Sequence, residues 1–163
     1  MKIGVISDTH IPDRSRDIPK QVLDAFKEVD IIAHAGDIAD LRVIEDLKKV
    51  CKEVHAVWGN MDPYEVRNAL PEKDVFEAAG RRIGLTHGYG LPTRLTGLVT
   101  EIFKKDNVDI IIFGHSHAPL NKKIGDILYF NPGSPTDKIF SVYNSYGIIE
   151  LNDKIEAQII KIM

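Results

Sequence analysis

The fold and the chemistry of this chain are decided by residues 110–117, IIIFGHSH. A short β-branched run that ends at a turn residue is typical of a buried strand, and Gly114 lets the chain leave that strand without a Cβ penalty. If the exit stays extended, side chains two residues apart point the same way, which predicts that His115 and His117 converge on one spot. Two converging imidazoles indicate a metal ion, although for this pair alone two ordinary loop histidines are the alternative.

Length and composition are typical of one globular domain that covers residues 1–163. A chain of this length buries roughly 70% of its unfolded surface when it folds. The hydrophobic fraction of 44% and the charged fraction of 28% do not fit a disordered protein. The net charge is -3 and the basic residues are scattered, so nucleic acid is not an expected partner.

The single cysteine and the absence of long apolar runs predict a cytoplasmic protein without a membrane partner. Cys51 cannot form an internal disulfide, and we interpret it as a packing residue. No apolar segment approaches the roughly 18 to 20 residues that a bilayer span needs. The N-terminus lacks the order of a signal peptide, so the mature chain is expected to begin with the first strand.

Strands and helices alternate over the first third of the chain. Strands are predicted at 1–6, 30–35 and 53–58, and apolar residues at helical spacing predict helices over 22–29 and 41–50, the first with Pro19 near its start. Successive strands that are joined by helical crossovers pair in parallel. This part of the chain therefore predicts a parallel sheet.

Antiparallel pairing is predicted from residue 75 onward. Residues 75–78 and 82–86 flank Ala79-Gly80-Arg81 as a hairpin, and a helical face over 96–106 leads to the strand at 110. Short strands follow, separated by turns at Gly125-Asp126, Asn131-Pro132-Gly133 and Asn152-Asp153. The whole pattern predicts an α/β fold in which two mixed sheets pack face to face with helices outside.

Polar side chains stand immediately after five of the predicted strands. In open α/β sheets, binding sites form beyond the carboxyl ends of parallel strands, so these side chains are expected to meet. Each alone has an ordinary explanation as a turn residue or a satisfied histidine, but their recurrence at strand end after strand end indicates a site. The seven residues are Asp8, His10, Asp37, Asn60, His87, His115 and His117.

The donor types predict divalent ions that are not held by thiolates. Histidine, aspartate and asparagine favour borderline or hard ions in open sites over a closed structural zinc site. Seven ligands are too many for one ion that also binds water, so two ions that share a carboxylate fit better. Mn, Ni, Fe, Co and Mg all tolerate such ligands, and Mn and Ni are the preferred assignments.

The order of these motifs closely resembles the calcineurin-like metallophosphoesterase superfamily over nearly the whole chain. The matching motifs are Asp8-x-His10, Gly36-Asp37, Gly59-Asn60, His87-Gly88 and Gly114-His115-x-His117. The short length and the stretch Asn131-Pro132-Gly133-Ser134 resemble its small prokaryotic phosphodiesterase branch. The resemblance implies a four-layer αββα sandwich of two mixed β-sheets flanked by helices.

The resemblance also implies a role for each matched residue. Asp8, His10 and His117 are expected to bind one ion, and Asn60, His87 and His115 the other, while Asp37 bridges the two. Asp37, Asn60 and His87 are assigned a direct part in catalysis. The implied activity is hydrolysis of a small phosphodiester by a hydroxide that the two ions share, and the chain is compatible with a homodimer.

One departure from the superfamily pattern concerns the leaving group. Many members have a histidine after the ligand asparagine, and this chain has Met61, whose thioether cannot donate a proton. We therefore predict a preference for good leaving groups and weak activity on alkyl monoesters. The next residue, Asp62, either anchors a ligand histidine or caps the following turn, and the cap is preferred.

Other polar residues receive weaker assignments. His34 is interpreted as a satisfied core histidine, with support of Asp37 as the alternative, and His55 receives no role. Arg14 and Arg94 are interpreted as solvated loop residues, with contact to a substrate phosphate as the alternative.

Two other functions are also compatible with the sequence. One is a non-catalytic protein-binding scaffold of the same fold, of the kind found in the retromer coat. The other is a phosphomonoesterase, nuclease or protein phosphatase of the same superfamily, although the sequence has neither a basic track nor a long insert for a peptide groove.

Overall fold

The computed structural model describes every residue from Met1 to Met163 and contains ten strands and four α-helices. The strands are β1 (Lys2–Ile6), β2 (Ile31–His34), β3 (Glu53–Ala56), β4 (Lys73–Ala78), β5 (Arg81–Thr86), β6 (Ile110–Ile112), β7 (Leu120–Ile124), β8 (Ile127–Asn131), β9 (Ser145–Leu151) and β10 (Ile155–Lys161). The helices are α1 (Lys20–Phe26), α2 (Arg42–Val50), α3 (Tyr64–Ala69) and α4 (Leu95–Phe103), and a 3-10 turn covers Pro92–Arg94.

The strands form two five-stranded mixed sheets, as the sequence predicted. The first has the order β10-β9-β1-β2-β3, in which β1, β2 and β3 are parallel, β9 is antiparallel to β1, and β10 is antiparallel to β9. The second has the order β4-β5-β6-β8-β7, with a parallel centre of β5, β6 and β8 between antiparallel edge strands. Each sheet therefore carries its own row of parallel strand ends.

Three apolar clusters separate four layers. The largest takes side chains from strands of both sheets and fills the space between them. The second packs α1, α2 and α3 on the outer face of the first sheet, and it includes Cys51, as expected of a packing residue. The third packs α4 on the outer face of the second sheet. This order is the predicted αββα sandwich, and none of its helices has the length and apolarity that a bilayer span requires.

Several helix boundaries differ from the sequence prediction. The first helix ends at Phe26, before Val29, and the fourth ends at Phe103 rather than at residue 106. The six-residue α3 was missed because only Val66 of its side chains is buried, so it carries almost no apolar periodicity. These differences lie away from the strand ends and do not move the predicted polar residues.

A phenylalanine packs over a strand glycine at both helix–sheet interfaces. A Cβ built on Gly4 of β1 would lie 2.7 Å from two ring carbons of Phe26 in α1. A Cβ on Gly84 of β5 would lie 2.7 Å from a ring carbon of Phe103 in α4. Glycine is therefore required at both positions for the helices to approach the sheets this closely.

We expect Gly4→Ala to lower the free energy of unfolding by about 1–3 kcal/mol, because the added methyl group overpacks a fully buried phenylalanine. Gly97→Ala is the matched control, since a Cβ at this exposed position of α4 meets no atom within 4 Å. That variant should be more stable by about 0.5–1 kcal/mol because alanine favours the helix. Urea denaturation measures both changes, and an unchanged Gly4→Ala variant would contradict the close packing.

Candidate metal centre

All seven predicted residues lie at the adjoining strand ends of the two sheets, and their side chains meet in one place. Asp8 and His10 follow β1, Asp37 follows β2 and Asn60 follows β3 in the first sheet. In the second sheet His87 follows β5, and His115 and His117 follow β6. The parallel strands aim their carboxyl ends at a common edge, so the first sheet supplies four of the side chains and the second supplies three.

One group of donors consists of Asp8, His10 and His117. The Nε2 atom of His117 lies 3.2 Å from Oδ1 of Asp8 and 3.4 Å from Nε2 of His10. The Nε2 atom of His10 is 3.9 Å from the same carboxylate oxygen. Three donor atoms that share so small a space are arranged as the ligands of one cation would be.

A second group consists of Asn60, His87 and His115. The Oδ1 atom of Asn60 lies 3.0 Å from Nε2 of His87 and 3.1 Å from Nδ1 of His115. His87 is buried, while Asn60 is exposed at the mouth of the site. This group therefore has one solvent-facing side.

Asp37 lies between the two groups. Its Oδ2 atom is 3.5 Å from Nε2 of His10 in the first group and 3.3 Å from Nε2 of His87 in the second. Its Oδ1 atom accepts the backbone N–H of Met61 at 2.8 Å, which fixes the orientation of the carboxylate. Asp8 Oδ1 also approaches His87, but at 3.9 Å, so Asp37 is the carboxylate closer to the second group.

The donor set fits a divalent cation. Asp8 is fully buried, and its Oδ1 atom has no hydrogen-bond partner, although its Oδ2 atom accepts bonds from the Ser7 hydroxyl and the His115 backbone N–H. A buried carboxylate oxygen without a partner is costly. Because Oδ1 faces the imidazoles of His10 and His117, a cation held among them would satisfy it.

The backbone at five of the seven residues is left-handed, and this corrects the predicted extended exit from the strands. The φ angles are 55° at Asp8, 44° at His10, 55° at Asp37, 70° at His115 and 56° at His117. Non-glycine residues in this region are strained. The turn sends His115 to the Asn60 group and His117 to the Asp8 group, so the two imidazoles belong to different donor groups of the same site.

Two glycines allow the carboxylates to approach the neighbouring loops. A Cβ on Gly59 would overlap the carboxylate of Asp37, and a Cβ on Gly114 would overlap the Ser7 hydroxyl and lie 2.7 Å from Oδ2 of Asp8. The Gly-Asn and Gly-His motifs therefore have a steric reason, because any larger residue would displace a candidate ligand.

Backbone carbonyls orient two of the imidazoles. The Nδ1 atom of His87 lies 2.7 Å from the Ala35 carbonyl oxygen, and Nε2 of His115 lies 2.8 Å from that of Gly90. A carbonyl only accepts, so each of these nitrogens carries a proton. The second nitrogen of each ring faces Oδ1 of Asn60, and it can bind a metal ion there when it carries no proton.

Asp137 orients His117 in the same way and was missed from the sequence. Its buried Oδ2 atom is hydrogen-bonded to Nδ1 of His117, and its carboxylate also accepts the N–H groups of Ile139 and Phe140. This leaves Nε2 of His117 facing Asp8. Asp137 lies in a loop and follows no strand, and the only nearby signal was the Asn131–Ser134 motif, whose Ser134 hydroxyl accepts the Asp137 N–H.

The charges of the site compensate one another. Burial raises the pKa of Asp8, but His87 and His117 outweigh it and lower the pKa to about 2. Burial lowers the pKa of His87 and of His117, but the nearby carboxylates of Asp8, Asp37 and Asp137 raise both pKa values to about 9. Both imidazoles are therefore protonated at neutral pH without metal, and a cation that bound here would replace those protons.

The two histidines outside the predicted ligand set have different surroundings. His34 is fully buried between the Thr9 hydroxyl and the Gly36 N–H, and burial lowers its pKa to about 3, so it is the predicted satisfied core histidine. His55 pairs with Asp74 and Glu53 away from the site.

Asp62 fixes the loops that carry two of the candidate ligands. Its carboxylate accepts the N–H groups of Ile38, Ala39 and Gly59 and contacts no histidine. The side chain therefore caps the turn at Gly59, as the preferred interpretation held, and it also ties the Asp37 loop to the Asn60 loop.

A cavity of ≈ 490 Å³ opens over the candidate ligands. Met61, Arg14 and Phe140 contribute to its wall, together with His10, Asp37, Asn60, His115 and His117. Arg14 therefore reaches the site, with its guanidinium 5.7 Å from the centre of the Phe140 ring. Arg94 is exposed and does not line this cavity.

Comparison with known proteins shows the family. Residues 1–154 match the model of the calcineurin-like phosphoesterase superfamily domain, and the chain belongs to this family of metal-dependent phosphoesterases. It is 41% identical over 163 residues to the probable metallophosphoesterase MJ0623 of Methanocaldococcus jannaschii, covering 99% of this chain and 82% of that protein.

Two further similarities extend over whole chains. Phosphodiesterase MJ0936 of the same organism is 25% identical over 173 residues, covering 98% of this chain and 99% of that one. The crystal structure of wild-type Vps29 of Entamoeba histolytica, complexed with Zn²⁺, superposes with a TM-score of 0.79 at 26% identity and 99% coverage of both chains.

We expect Asp137→Asn to weaken metal binding by about 10- to 100-fold, because an amide no longer fixes the ring of His117 as the carboxylate does. Asp153→Asn, a matched change in the exposed β9–β10 turn, should leave binding unchanged. Isothermal titration with Mn²⁺ measures both affinities. Equal affinities for Asp137→Asn and the unmodified protein would show that the hydrogen bond does not position this imidazole.

Proposed function

We propose that this chain is a phosphodiesterase that hydrolyses small phosphodiesters with the help of two divalent metal ions. The observation that carries the proposal is the position of Asp37, whose Oδ2 atom lies 3.5 Å and 3.3 Å from imidazoles of two separate donor groups. A carboxylate between two sets of ligands is what a shared ligand requires. In this proposal one ion is held by Asp8, His10 and His117, the other by Asn60, His87 and His115, and Asp37 is common to both.

The bound ions would polarise the phosphoryl oxygens and lower the pKa of the attacking water. The residues of the chain prepare the site for this chemistry. The Met61 N–H holds the Asp37 carboxylate, while Ala35, Gly90 and Asp137 fix the imidazole lone pairs in the directions that ligation needs. Little reorganisation is then required when the ions and the substrate bind.

Manganese or nickel is the metal that we favour. The seven donors are imidazoles, carboxylates and one amide, and the only thiol, Cys51, is buried in the helix layer far from them in the fold. Such a donor set selects against ions that prefer sulfur and leaves room for water ligands.

Arg14 and the ligand histidines line the same cavity, which gives the substrate phosphate a positive neighbour besides the ions. A guanidinium matches a phosphate through two parallel N–H donors. We assign Arg14 to substrate binding on this basis. The net charge of -3 for the whole chain does not oppose this, because the attraction is local.

Met61 limits the leaving groups that the enzyme expels. Its side chain is 67% exposed at the cavity. The imidazoles that line this cavity, those of His10, His115 and His117, all belong to the proposed ligand set. Without an imidazole free to donate a proton, we expect the departing oxygen to leave as an anion. A phosphodiester with an acidic phenol as leaving group therefore suits this site better than an alkyl ester.

The test uses protein that has been stripped with a chelator and reloaded with Mn²⁺, and a series of aryl phosphodiesters of increasing leaving-group pKa. We expect no turnover without metal and a steep fall in kcat/KM as the leaving-group pKa rises, because no side chain protonates the departing oxygen. The corresponding aryl monoesters should react more slowly. Absence of turnover with Mn²⁺, Ni²⁺ and several other ions would contradict the proposal and favour the scaffold alternative.

Met61→His should flatten the dependence on leaving-group pKa by accelerating the poorest leaving groups most. Met61→Gln is the matched control, because it has similar length and no acidic proton. A flat dependence in the unmodified protein, or an equal effect of histidine on every substrate, would contradict the role of Met61.

A further inference from the structure

A second cavity, of ≈ 420 Å³, meets the candidate metal centre at Asn60 and His87, and neither the fold nor the proposed ligand set accounts for it. Asn60 is the one residue that lines both this cavity and the cavity of Met61. Its volume lies within the range of about 300–1,000 Å³ for small-molecule sites. The two cavities therefore provide two separate spaces that meet at one proposed ligand.

Three aromatic or apolar side chains belong to the wall of the second cavity, together with polar and charged ones. Trp58, Tyr89 and Ile102 line it. The guanidinium of Arg67 lies 4.8 Å from the centre of the Trp58 ring. Arg67 in turn donates hydrogen bonds to the carbonyl oxygens of Asp62 at 2.8 Å and of Asn60 at 2.6 Å. These bonds hold the aromatic wall in a fixed position relative to the Asn60 loop.

Both cationic side chains of the wall, Arg67 and Lys73, have acidic neighbours, which argues against a second phosphate as the occupant. The ammonium group of Lys73 is paired with Asp106 at 2.6 Å. Arg67 and Glu72, which carry opposite charges, both line this cavity. With both cationic side chains compensated and His87 assigned as a metal ligand, the aromatic faces suit a neutral planar group, which gains from stacking and from the guanidinium beside Trp58.

We infer that this cavity binds the retained ester substituent of the substrate and that this substituent is a planar aromatic group, either an aryl ring or a nucleoside base. The inference deepens the proposed function and rests on it. A phosphodiester carries two substituents, and the cavity of Met61 receives the one that leaves. The remaining substituent then lies beside Trp58 and Tyr89.

The test compares three phosphodiesters that share 4-nitrophenolate as the leaving group and differ in the retained group, which is ethyl, phenyl or a thymidine nucleoside. With the Mn²⁺-loaded protein, kcat/KM for the phenyl and nucleoside esters should exceed that of the ethyl ester by about tenfold, the size expected of one stacking interaction. Because the leaving group is constant, the esters differ only in the retained group, and a Tyr89 variant separates the binding of that group from its electronic effect on the phosphorus.

Tyr89→Ala should reduce the ratio of kcat/KM between the aromatic esters and the ethyl ester. Tyr89 is 57% exposed, so its truncation leaves the core intact. Tyr64→Ala is the matched control, since Tyr64 is 82% exposed on α3 and lines neither cavity, and the ratio should not change.

Turnover of all three esters at similar kcat/KM, or a ratio that Tyr89→Ala does not alter, would overturn the inference and leave the proposed function standing. Turnover of none of them would refute the proposed function itself, and this inference with it.

Discussion

The carboxylates of Asp8 and Asp37 are buried side by side among imidazoles, and the organisation of the molecule follows from the need to compensate their charge. Burying a carboxylate without a partner costs several kcal/mol, so such groups are kept only where positive charge meets them. In this chain His87 and His117, which the other sheet contributes, supply positive charge beside both carboxylates. The electrostatic requirement thus joins the two halves of the sandwich at one edge.

The same requirement explains why the strand ends are built under strain. Left-handed backbone at Asp8, Asp37 and His117 turns the side chains inward, and the glycines at 59 and 114 leave room for the carboxylates. The surrounding hydrogen bonds hold this geometry. Asp62 ties two of the loops together, and the Ser134 hydroxyl donates to the carbonyl of Asp8 at 2.7 Å. Strain stored in this way is typical of a site that is prepared for a ligand.

Sequence reasoning predicted the sheets and the convergence of the seven side chains, because strand ends and the polar residues after them are local features. It was wrong about the extended exit at His115 and His117, since positive φ angles at non-glycine residues leave no mark on composition or periodicity. It missed Asp137, which meets His117 only when a loop twenty residues further along the chain folds back. The second cavity could not be predicted from the sequence for the same reason, because Trp58 and Tyr89 in its wall follow strands of different sheets.

The most direct measurement is a crystal structure of the Mn²⁺-loaded protein with anomalous scattering recorded at the manganese edge. We expect two anomalous peaks per chain, one ligated by Asp8, His10 and His117 and the other by Asn60, His87 and His115, with Asp37 in contact with both. A single peak, or peaks that lie away from Asp37, would contradict a shared carboxylate and the dinuclear chemistry built on it.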